Sequence, residues 1–67
     1  MKILRLSQVR EVTSLSRATV YEMSRTGDFP RQVRIGLRAS GWVESEVQDW
    51  LKRRVAERDR LQKKRRA

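Results

Sequence analysis

The order of apolar and polar residues near the start of the chain predicts a short helix followed by a tight connection. Ser7 is a candidate N-cap, because a serine hydroxyl can accept a hydrogen bond from a free backbone N–H at a helix start. Val9 and Val12 then fall three residues apart, on one face of that helix. Residues 13–15 are predicted to form the connection. A helix this short is not stable alone, so we expect a second helix to pack across it.

That second helix is predicted over residues 16–25. Ser16 is its candidate N-cap, and Gly27 is placed to end it in a left-handed conformation. Val20 and Met23 are three residues apart and predict a buried face that docks on the first helix. The opposite face is then left exposed.

The stretch after the second helix predicts a β-hairpin. Pro30 ends the helical pattern, because proline disfavours the α conformation in the residue before it. Residues 31–35 alternate in hydrophobicity, residues 36–38 contain a glycine and predict a turn, and residues 39–43 form the returning run. An isolated hairpin is marginal in water, so this one must pack on the helices.

From about Glu44 the pattern is helical again. One apolar stripe follows at helical spacing, formed by Val47, Trp50, Leu51 and Val55. Basic residues dominate the rest of this helix, and nothing apolar except Ala67 follows Leu61. We therefore expect one domain over residues 1–62 and a basic, disordered tail over residues 63–67.

Together these elements predict a mostly α-helical fold with a small β-hairpin, in the order of a winged helix-turn-helix. Such a fold consists of a short helix, a turn, a recognition helix, a two-stranded wing and a C-terminal helix. Its recognition helix enters the major groove of DNA. The sequence therefore predicts a recognition helix at residues 16–25 and a wing at residues 31–43 on the flank of the DNA site.

Composition points to the same partner. The chain carries 17 Lys and Arg residues against 8 Asp and Glu, a net charge of +9, and most of the basic residues are arginine. This balance favours a polyanionic partner, and the arginine fork suits phosphates and guanine edges. The sequence has no cysteine and no histidine, which excludes thiolate zinc sites and cysteine nucleophiles and removes the commonest general base. We expect double-stranded DNA as the partner, and no enzyme, catalytic residue, cofactor, metal or small-molecule ligand.

A different partner remains conceivable for the last helix. Residues 44–66 could lie as a basic helix on a membrane surface or on a protein partner. This alternative is disfavoured because the apolar stripe is short and both tryptophans are needed for the core. Residues 1–5 contain no apolar stretch long enough for a signal peptide or a membrane span, so we expect a cytoplasmic, nucleoid-associated protein without membrane contact.

The outward side of the second helix supplies the first candidate DNA contacts. Arg17 can fork onto a guanine edge, and the Ala18 methyl can touch a thymine methyl. Tyr21 either covers the core or touches a phosphate, and both interpretations stay open at this point. The candidate residues on this helix are Ser16, Arg17, Ala18, Thr19, Tyr21 and Arg25.

Two further groups have a structural interpretation that outweighs the functional one. Trp42 and Trp50 could stack on bases, but Trp50 lies on the apolar stripe and Trp42 leads into it, which favours the core. Three acidic residues near the start of the last helix could suggest a metal site, but they complement the positive end of the helix dipole, which is a sufficient explanation. These acidic residues are Glu44, Glu46 and Asp49.

Five motifs, taken in order, resemble the AlpA family of prophage and genomic-island regulators. They are Leu-Arg-Leu-Ser-Gln-Val at residues 4–9, Leu-Ser-Arg-Ala-Thr-Val-Tyr at 15–21, Gly-Asp-Phe-Pro at 27–30, the run ending in Gly-Trp at 33–42, and Ser-Glu-Val-Gln-Asp-Trp-Leu at 45–51. The resemblance covers roughly residues 3–58. Any one fragment is weak, whereas the ordered set is fairly specific.

The resemblance implies a MerR-like winged-helix fold and one of two functions on mobile elements. The first is transcriptional control of nearby genes, often an integrase gene. The second is excisionase-type control of recombination direction, in which the protein bends DNA at attachment sites. The matching positions are Ser16, Arg17, Thr19 and Tyr21 in the recognition helix and Arg34, Leu37 and Arg38 in the wing. Self-association, or cooperative side-by-side binding on DNA, stays open.

The chain departs from the family pattern at two positions. Ser14 occupies the turn where the family usually has glycine, so we expect slight strain or a local serine hydrogen bond there. Gln32 stands where a second proline is common, which leaves the first wing strand freer to pair.

Overall fold

The computed structural model describes the backbone of residues 1–66 and the side chains of residues 1–63. Its elements are β1 (Ile3–Leu4), α1 (Leu6–Thr13), α2 (Arg17–Thr26), β2 (Val33–Arg34), β3 (Ser40–Val43) and α3 (Glu44–Arg66). The predicted fold class is confirmed: the described chain is mostly helical, with a winged helix-turn-helix layout. The division into a domain of residues 1–62 and a disordered tail of residues 63–67 stays a prediction, and Ala67 lies outside the described residues.

Helix α1 begins two residues before the start that the sequence predicted. Arg5 is the N-cap and Leu6 the first helical residue, so the prediction of Ser7 as N-cap is wrong. The Gln8 side chain explains the difference, because its Oε1 accepts a hydrogen bond from the Arg5 backbone N–H at 2.9 Å. This bond, from the N-cap backbone N–H to a glutamine side chain three residues later, is one of the two hydrogen bonds of a capping box.

The turn between α1 and α2 centres on Ser14, whose φ of +62° is left-handed. Its backbone N–H donates to the Arg10 carbonyl at 2.8 Å, which closes the last turn of α1. The neighbouring Thr13 hydroxyl donates to the Val9 carbonyl at 2.7 Å and accepts from the Leu15 N–H at 3.3 Å. Backbone hydrogen bonds and the Thr13 hydroxyl thus hold the left-handed turn, at a position where the family usually has glycine. Because Ser14 has a Cβ, it bears a strain in this conformation that glycine would not.

Helix α2 has both predicted ends. The Ser16 Oγ accepts a hydrogen bond from the Thr19 backbone N–H at 3.2 Å, which confirms Ser16 as the N-cap. Gly27 has φ +91° and donates its N–H to the Met23 carbonyl at 3.0 Å, which confirms the left-handed C-cap. Val20 is fully buried and Met23 partly buried, so α2 docks on the core through the predicted face.

The predicted hairpin is present and belongs to a three-stranded sheet of order β1-β3-β2. Strand β2 pairs antiparallel with β3, with Val33 opposite Gly41. Strand β1 pairs antiparallel with the other edge of β3, with Leu4 opposite Trp42. A Cβ on Gly41 would lie 2.7 Å from the Leu4 carbonyl oxygen, so glycine is what lets β1 approach. The sequence did not predict β1, because two residues are too few to show alternation.

The core lies between α1, α2, the sheet and the start of α3. Its buried members are Leu4, Val9, Val20, Phe29, Trp42 and Val47. The Trp42 indole is buried, and its Nε1 donates to the Ser24 Oγ at 3.2 Å. Ser24 donates in turn to the Pro30 carbonyl at 3.1 Å. A single buried hydroxyl therefore ties the sheet to α2 and to the segment that enters the wing, which confirms Trp42 as a core residue.

Trp50 anchors α3 to the end of α2 and is only half-buried. Its ring meets Phe29 edge-on with centroids 4.8 Å apart, and its Nε1 donates to the Asp28 carbonyl at 2.6 Å. Val12 and Val55, predicted on the apolar faces of their helices, are 43% and 48% exposed. Each apolar face therefore ends earlier than its sequence pattern suggests.

Beyond Leu51, α3 leaves the body of the molecule. Residues 52–63 are all exposed, and the molecule measures 52 × 25 × 19 Å along its principal axes. We call residues 52–66 distal α3. No helix within residues 1–66 is both long and apolar enough to cross a membrane.

Candidate nucleic-acid interface

One face of α2 is exposed and carries the candidate recognition residues. Val20 and Ser24 are buried on the opposite side, which fixes the rotation of the helix about its axis. Thr19 is partly buried at the boundary between the two faces. The exposed residues of α2 are Arg17, Ala18, Tyr21, Glu22, Arg25 and Thr26. The predicted outward residues therefore share one surface.

The leading end of α2 combines a capped serine with free backbone donors. The Ser16 Oγ accepts from the Thr19 N–H and donates to the Thr19 Oγ1 at 2.8 Å, so both hydroxyls already take part in the cap. The N–H groups of Arg17 and Ala18 have no acceptor within the helix, as at any first turn. Such an end, with small side chains around it, suits a phosphate oxygen.

The Tyr21 ring lies between the core residue Trp42 and the surface residue Arg17. The Tyr21 ring centroid lies 6.0 Å from that of Trp42, with the planes at 54°. The Arg17 guanidinium carbon lies 5.8 Å from the same Tyr21 centroid, within cation–π range. Tyr21 is 38% exposed, so it covers the core tryptophan and still borders the surface. Of the two interpretations of Tyr21, the contact with the core is thus observed.

An acidic residue that the sequence reasoning did not single out also lies on this face. The Arg25 Nη2 and Glu22 Oε1 atoms are 2.6 Å apart and form an exposed ion pair between residues about one helical turn apart. Such an exposed pair contributes little to stability. Its consequence is local: Glu22 restricts the orientation of Arg25 and places a hydrogen-bond acceptor on a face that is otherwise basic, where a cytosine amino group would fit.

The turn of the wing is held by hydrogen bonds from three residues. The backbone N–H groups of Ile35 and Gly36 both donate to the Ala39 carbonyl, at 2.9 and 3.1 Å. The Arg34 Nη2 donates to the Leu37 carbonyl at 3.0 Å, which closes the tip from the side. Arg34 therefore shapes the wing and keeps its remaining guanidinium donors for another partner.

Two neighbouring depressions connect α2 to the wing. The first is a groove lined by Tyr21, Ser24, Arg25, Arg31 and Gln32. The second lies at the wing and is lined by Gln32, Arg34, Leu37, Arg38, Ala39 and Ser40. Gln32 borders both. The predicted recognition residues Tyr21 and Arg25 and the predicted wing residues therefore border two depressions that share Gln32.

Arg31 and Gln32 were missed as candidate site residues. They follow Pro30 directly and line the groove beside α2. The sequence signal for this position was a basic residue, Arg31, directly after Pro30. The spacing of residues along the chain did not show that this segment lies beside α2.

Most of the net positive charge of the chain lies on distal α3. Residues 52–66 carry nine basic and two acidic side chains, whereas residues 1–51 carry eight basic and six acidic ones. Two exposed ion pairs engage the acidic residues, Arg54 with Glu57 at 3.6 Å and Arg58 with Asp59 at 2.9 Å. Distal α3 is therefore a helix with an excess of positive charge, exposed over residues 52–63.

The acidic start of α3 offers no alternative site. Glu44 lies 3.7 Å from the Lys2 ammonium, and Glu44 and Glu46 lie in the first turn, where they complement the helix dipole. Within residues 1–66, no group of three or more histidine, cysteine or acidic residues is close enough to hold a metal ion.

The fold and this surface define the class of protein: a winged helix-turn-helix with a basic, groove-lined recognition face. The family described as prophage CP4-57 regulatory protein (AlpA) matches residues 2–55, and the chain belongs to this family. An uncharacterized protein, ORF88, of Enterobacteria phage P4 is 42% identical over 59 residues, covering 88% of this chain and 67% of the relative. The DNA-binding transcriptional activator AlpA of Escherichia coli K12 is 33% identical over 60 residues, covering 81% of this chain and 86% of the relative.

Proposed function

We propose that the protein is a sequence-specific, double-stranded DNA-binding regulator of transcription on a prophage or another mobile element. One observation carries the proposal: the exposed face of α2 and the wing border two depressions that share Gln32. A single duplex can then meet α2 in its major groove and the wing on its flank. The Escherichia coli relative that carries the name of a DNA-binding transcriptional activator supports the same function.

Base reading is assigned to the exposed side chains of α2. Arg17 is exposed and its guanidinium lies over the Tyr21 ring on the same helix, and from this surface position its fork can extend to a guanine edge. Ala18 offers a methyl contact to thymine, and the pair of Glu22 and Arg25 can read the following base. Ser16 and Thr19 fix the helix end that approaches a phosphate.

The wing and distal α3 are assigned contacts with the sugar-phosphate backbone. Arg34 and Arg38 flank a turn that hydrogen bonds hold, so their charges meet the duplex at defined places. Distal α3 has a larger charge and its side chains are exposed over residues 52–63, so we assign it affinity that does not depend on sequence. The proposed function needs no catalytic step, cofactor or small-molecule ligand, and it places the protein in the cytoplasm on the nucleoid.

An excisionase that directs recombination is the second candidate function. It would use the same recognition surface, because fold and site alone do not separate the two functions. The observation that favours it is the exposed leucine at the tip of the wing, since proteins that bend DNA frequently insert an apolar side chain between base pairs. Repeated, phased binding sites beside an integrase attachment site would support this candidate, and a single site near a promoter would support the regulator.

The experiment is footprinting on the DNA that surrounds the gene of this protein, followed by affinity measurements on the protected site and on random duplex. We expect the site to be bound roughly 10³-fold more tightly than random DNA, or better, as for specific DNA-binding proteins at physiological salt. A ratio close to one at that salt concentration would contradict sequence-specific binding.

A further inference from the structure

Leu37 is the most exposed large apolar side chain of the described chain apart from Met1. It is 92% exposed, compared with 39% for Val33 and 47% for Ile35 on the adjoining strand and its extension. A leucine with this exposure contributes nothing to the core and is not selected for folding by burial. The groups around Leu37 at the tip of the wing then indicate which partner this side chain can contact.

The turn that carries Leu37 is held in place. The Arg34 guanidinium bonds the Leu37 carbonyl itself, and two backbone N–H groups converge on the carbonyl of Ala39. The backbone at the tip is thus tied both across the turn and from the side chain of β2. Leu37 is therefore presented outward by a shaped loop.

Positive charge surrounds this apolar tip. Arg34 and Arg38 border the same depression as Leu37, together with Gln32. The minor groove is a narrow channel of negative potential, and arginines are drawn into it. Proteins that kink DNA combine basic residues in the minor groove with an apolar wedge, such as leucine, that enters between two base pairs.

We propose that Leu37 is an apolar wedge that enters the minor groove between two base pairs beside the recognition site and kinks the duplex. The inference rests on the proposed function, because it requires that α2 and the wing bind one duplex. The kink costs least at flexible pyrimidine–purine steps, so the wing selects TA or CA/TG at a position without a hydrogen bond to the bases. The protein thereby acquires an activity, DNA bending, that base reading by α2 does not need.

A second copy of the chain is the competing occupant of this apolar tip. Val33, Ile35 and Leu37 alternate along one exposed edge, and such edges can pair with another strand. Two copies would however bring Arg34 and Arg38 of each wing together, and each chain carries a net charge of +9. Charge complementarity favours the duplex.

The test measures the bend angle by fluorescence resonance energy transfer across the footprinted site, with the full chain. Wild-type protein is expected to bend the site by about 20–90°. Leu37→Ala should at least halve that angle while binding the intact site no more than about tenfold more weakly, and Leu37→Met, which keeps an apolar wedge, should retain the angle. Val12→Ala is the control, because Val12 is an exposed valine on α1 and not part of the wing.

A DNA substitution makes the test specific. Replacing the flexible step under the wing with a stiffer one should weaken wild-type binding and leave Leu37→Ala nearly unaffected. Equal bend angles for wild type and Leu37→Ala would overturn the wedge. If, in addition, wild type self-associates in ultracentrifugation and Leu37→Ala does not, the tip contacts a second copy of the chain instead. Circular dichroism confirms that each variant folds. If no variant, wild type included, prefers the site over random duplex, the proposed function itself fails, which is a different result from specific binding without a kink.

Discussion

At the scale of single residues, the molecule uses polar side chains to fix geometry next to positions that remain free for a partner. Ser24 joins Trp42 to the Pro30 carbonyl inside the core, and Tyr21 lies between that tryptophan and Arg17 at the surface. The position of Arg17 thus depends on a chain of contacts that begins in the core. Such support is what allows a long side chain to read a base instead of sampling many rotamers.

Ser14→Gly should stabilise the fold. Serine at φ +62° bears a left-handed strain that glycine does not, and the hydrogen bonds of the turn use backbone groups and the Thr13 hydroxyl, which Ser14→Gly retains. We expect a gain of about 0.5–1 kcal/mol in the free energy of unfolding, after the extra chain entropy of glycine is subtracted. Thermal unfolding of both proteins measures it, and an unchanged or lower midpoint would mean that the turn is not strained.

Arg17→Ala should reduce specificity more than affinity for DNA in general. Loss of a fork on a guanine edge should cost about 1–3 kcal/mol on the specific site and relax the preference at one base pair. Arg10→Ala is the control. Arg10 is exposed on α1, so this substitution removes the same charge from a helix other than α2. Competition binding with single-base variants measures the effect; an equal loss on specific and random DNA would assign Arg17 to phosphate contact.

At the scale of the elements, the sequence predicted what repeats along the chain and missed what depends on contacts between distant residues. Both ends of α2, the hairpin and the start of α3 follow from caps, a proline and periodicity. Strand β1 has two residues and exists because Gly41 lets it approach β3, a condition invisible in local pattern. The prediction of a Ser7 cap failed for a different, local reason, since the Gln8 side chain accepts from the Arg5 N–H and starts the helix earlier.

The candidate site divides in the same way. Eight of the nine predicted site residues are exposed and Thr19 is partly buried, because exposure follows from the rotation of one amphipathic helix and the tip of one hairpin. The ion pair of Glu22 with Arg25 and the shared position of Gln32 could not be predicted, since they depend on rotamers and on the path of the chain after Pro30. Whether these residues contact DNA stays a prediction.

The two tryptophans should differ in their contribution to stability. Trp42→Ala removes a buried ring and the donor to Ser24, at a cost of about 3–5 kcal/mol, which a domain of this size cannot spare. Trp50→Ala removes a half-buried ring at the edge and should cost about 2 kcal/mol, with a weaker hold of α3 on α2. Near-UV circular dichroism and thermal unfolding distinguish them; a larger loss for Trp50→Ala would contradict this packing.

At the scale of the whole molecule, shape and charge are separated. The body of residues 1–51 holds the proposed recognition surface with a small charge excess, and distal α3 holds most of the net charge of +9. Positioned contacts and sequence-independent attraction therefore come from different parts of the chain. The charge of distal α3 can be changed at little cost to the fold, because residues 52–63 are exposed; Arg53, Arg54 and Glu57 border the body at Gly27 and Asp28.

Neutralising distal α3 should lower affinity without lowering specificity. A variant with Lys52, Arg53 and Arg60 replaced by glutamine should flatten the slope of log affinity against log salt by about 0.9 for each phosphate that the variant no longer neutralises. Specific and random duplexes should weaken by similar factors. A variant with Lys2, Arg5 and Arg10 replaced by glutamine is the matched control for removal of three charges; an equal change in slope for both variants would show that distal α3 has no special contact with DNA.

The joint use of α2 and the wing on one duplex is the central claim, and hydroxyl-radical footprinting of wild type and Arg38→Ala tests it most directly. Wild type should protect the backbone on both sides of one major groove and one adjacent flank. Arg38→Ala should lose protection on that flank alone and lower the ratio of specific to random affinity, because an arginine fixed on the wing senses groove width. An unchanged Arg38→Ala footprint at low salt, together with loss of specific binding when residues 63–67 are deleted, would contradict the account and make the last helix the second DNA-contacting element.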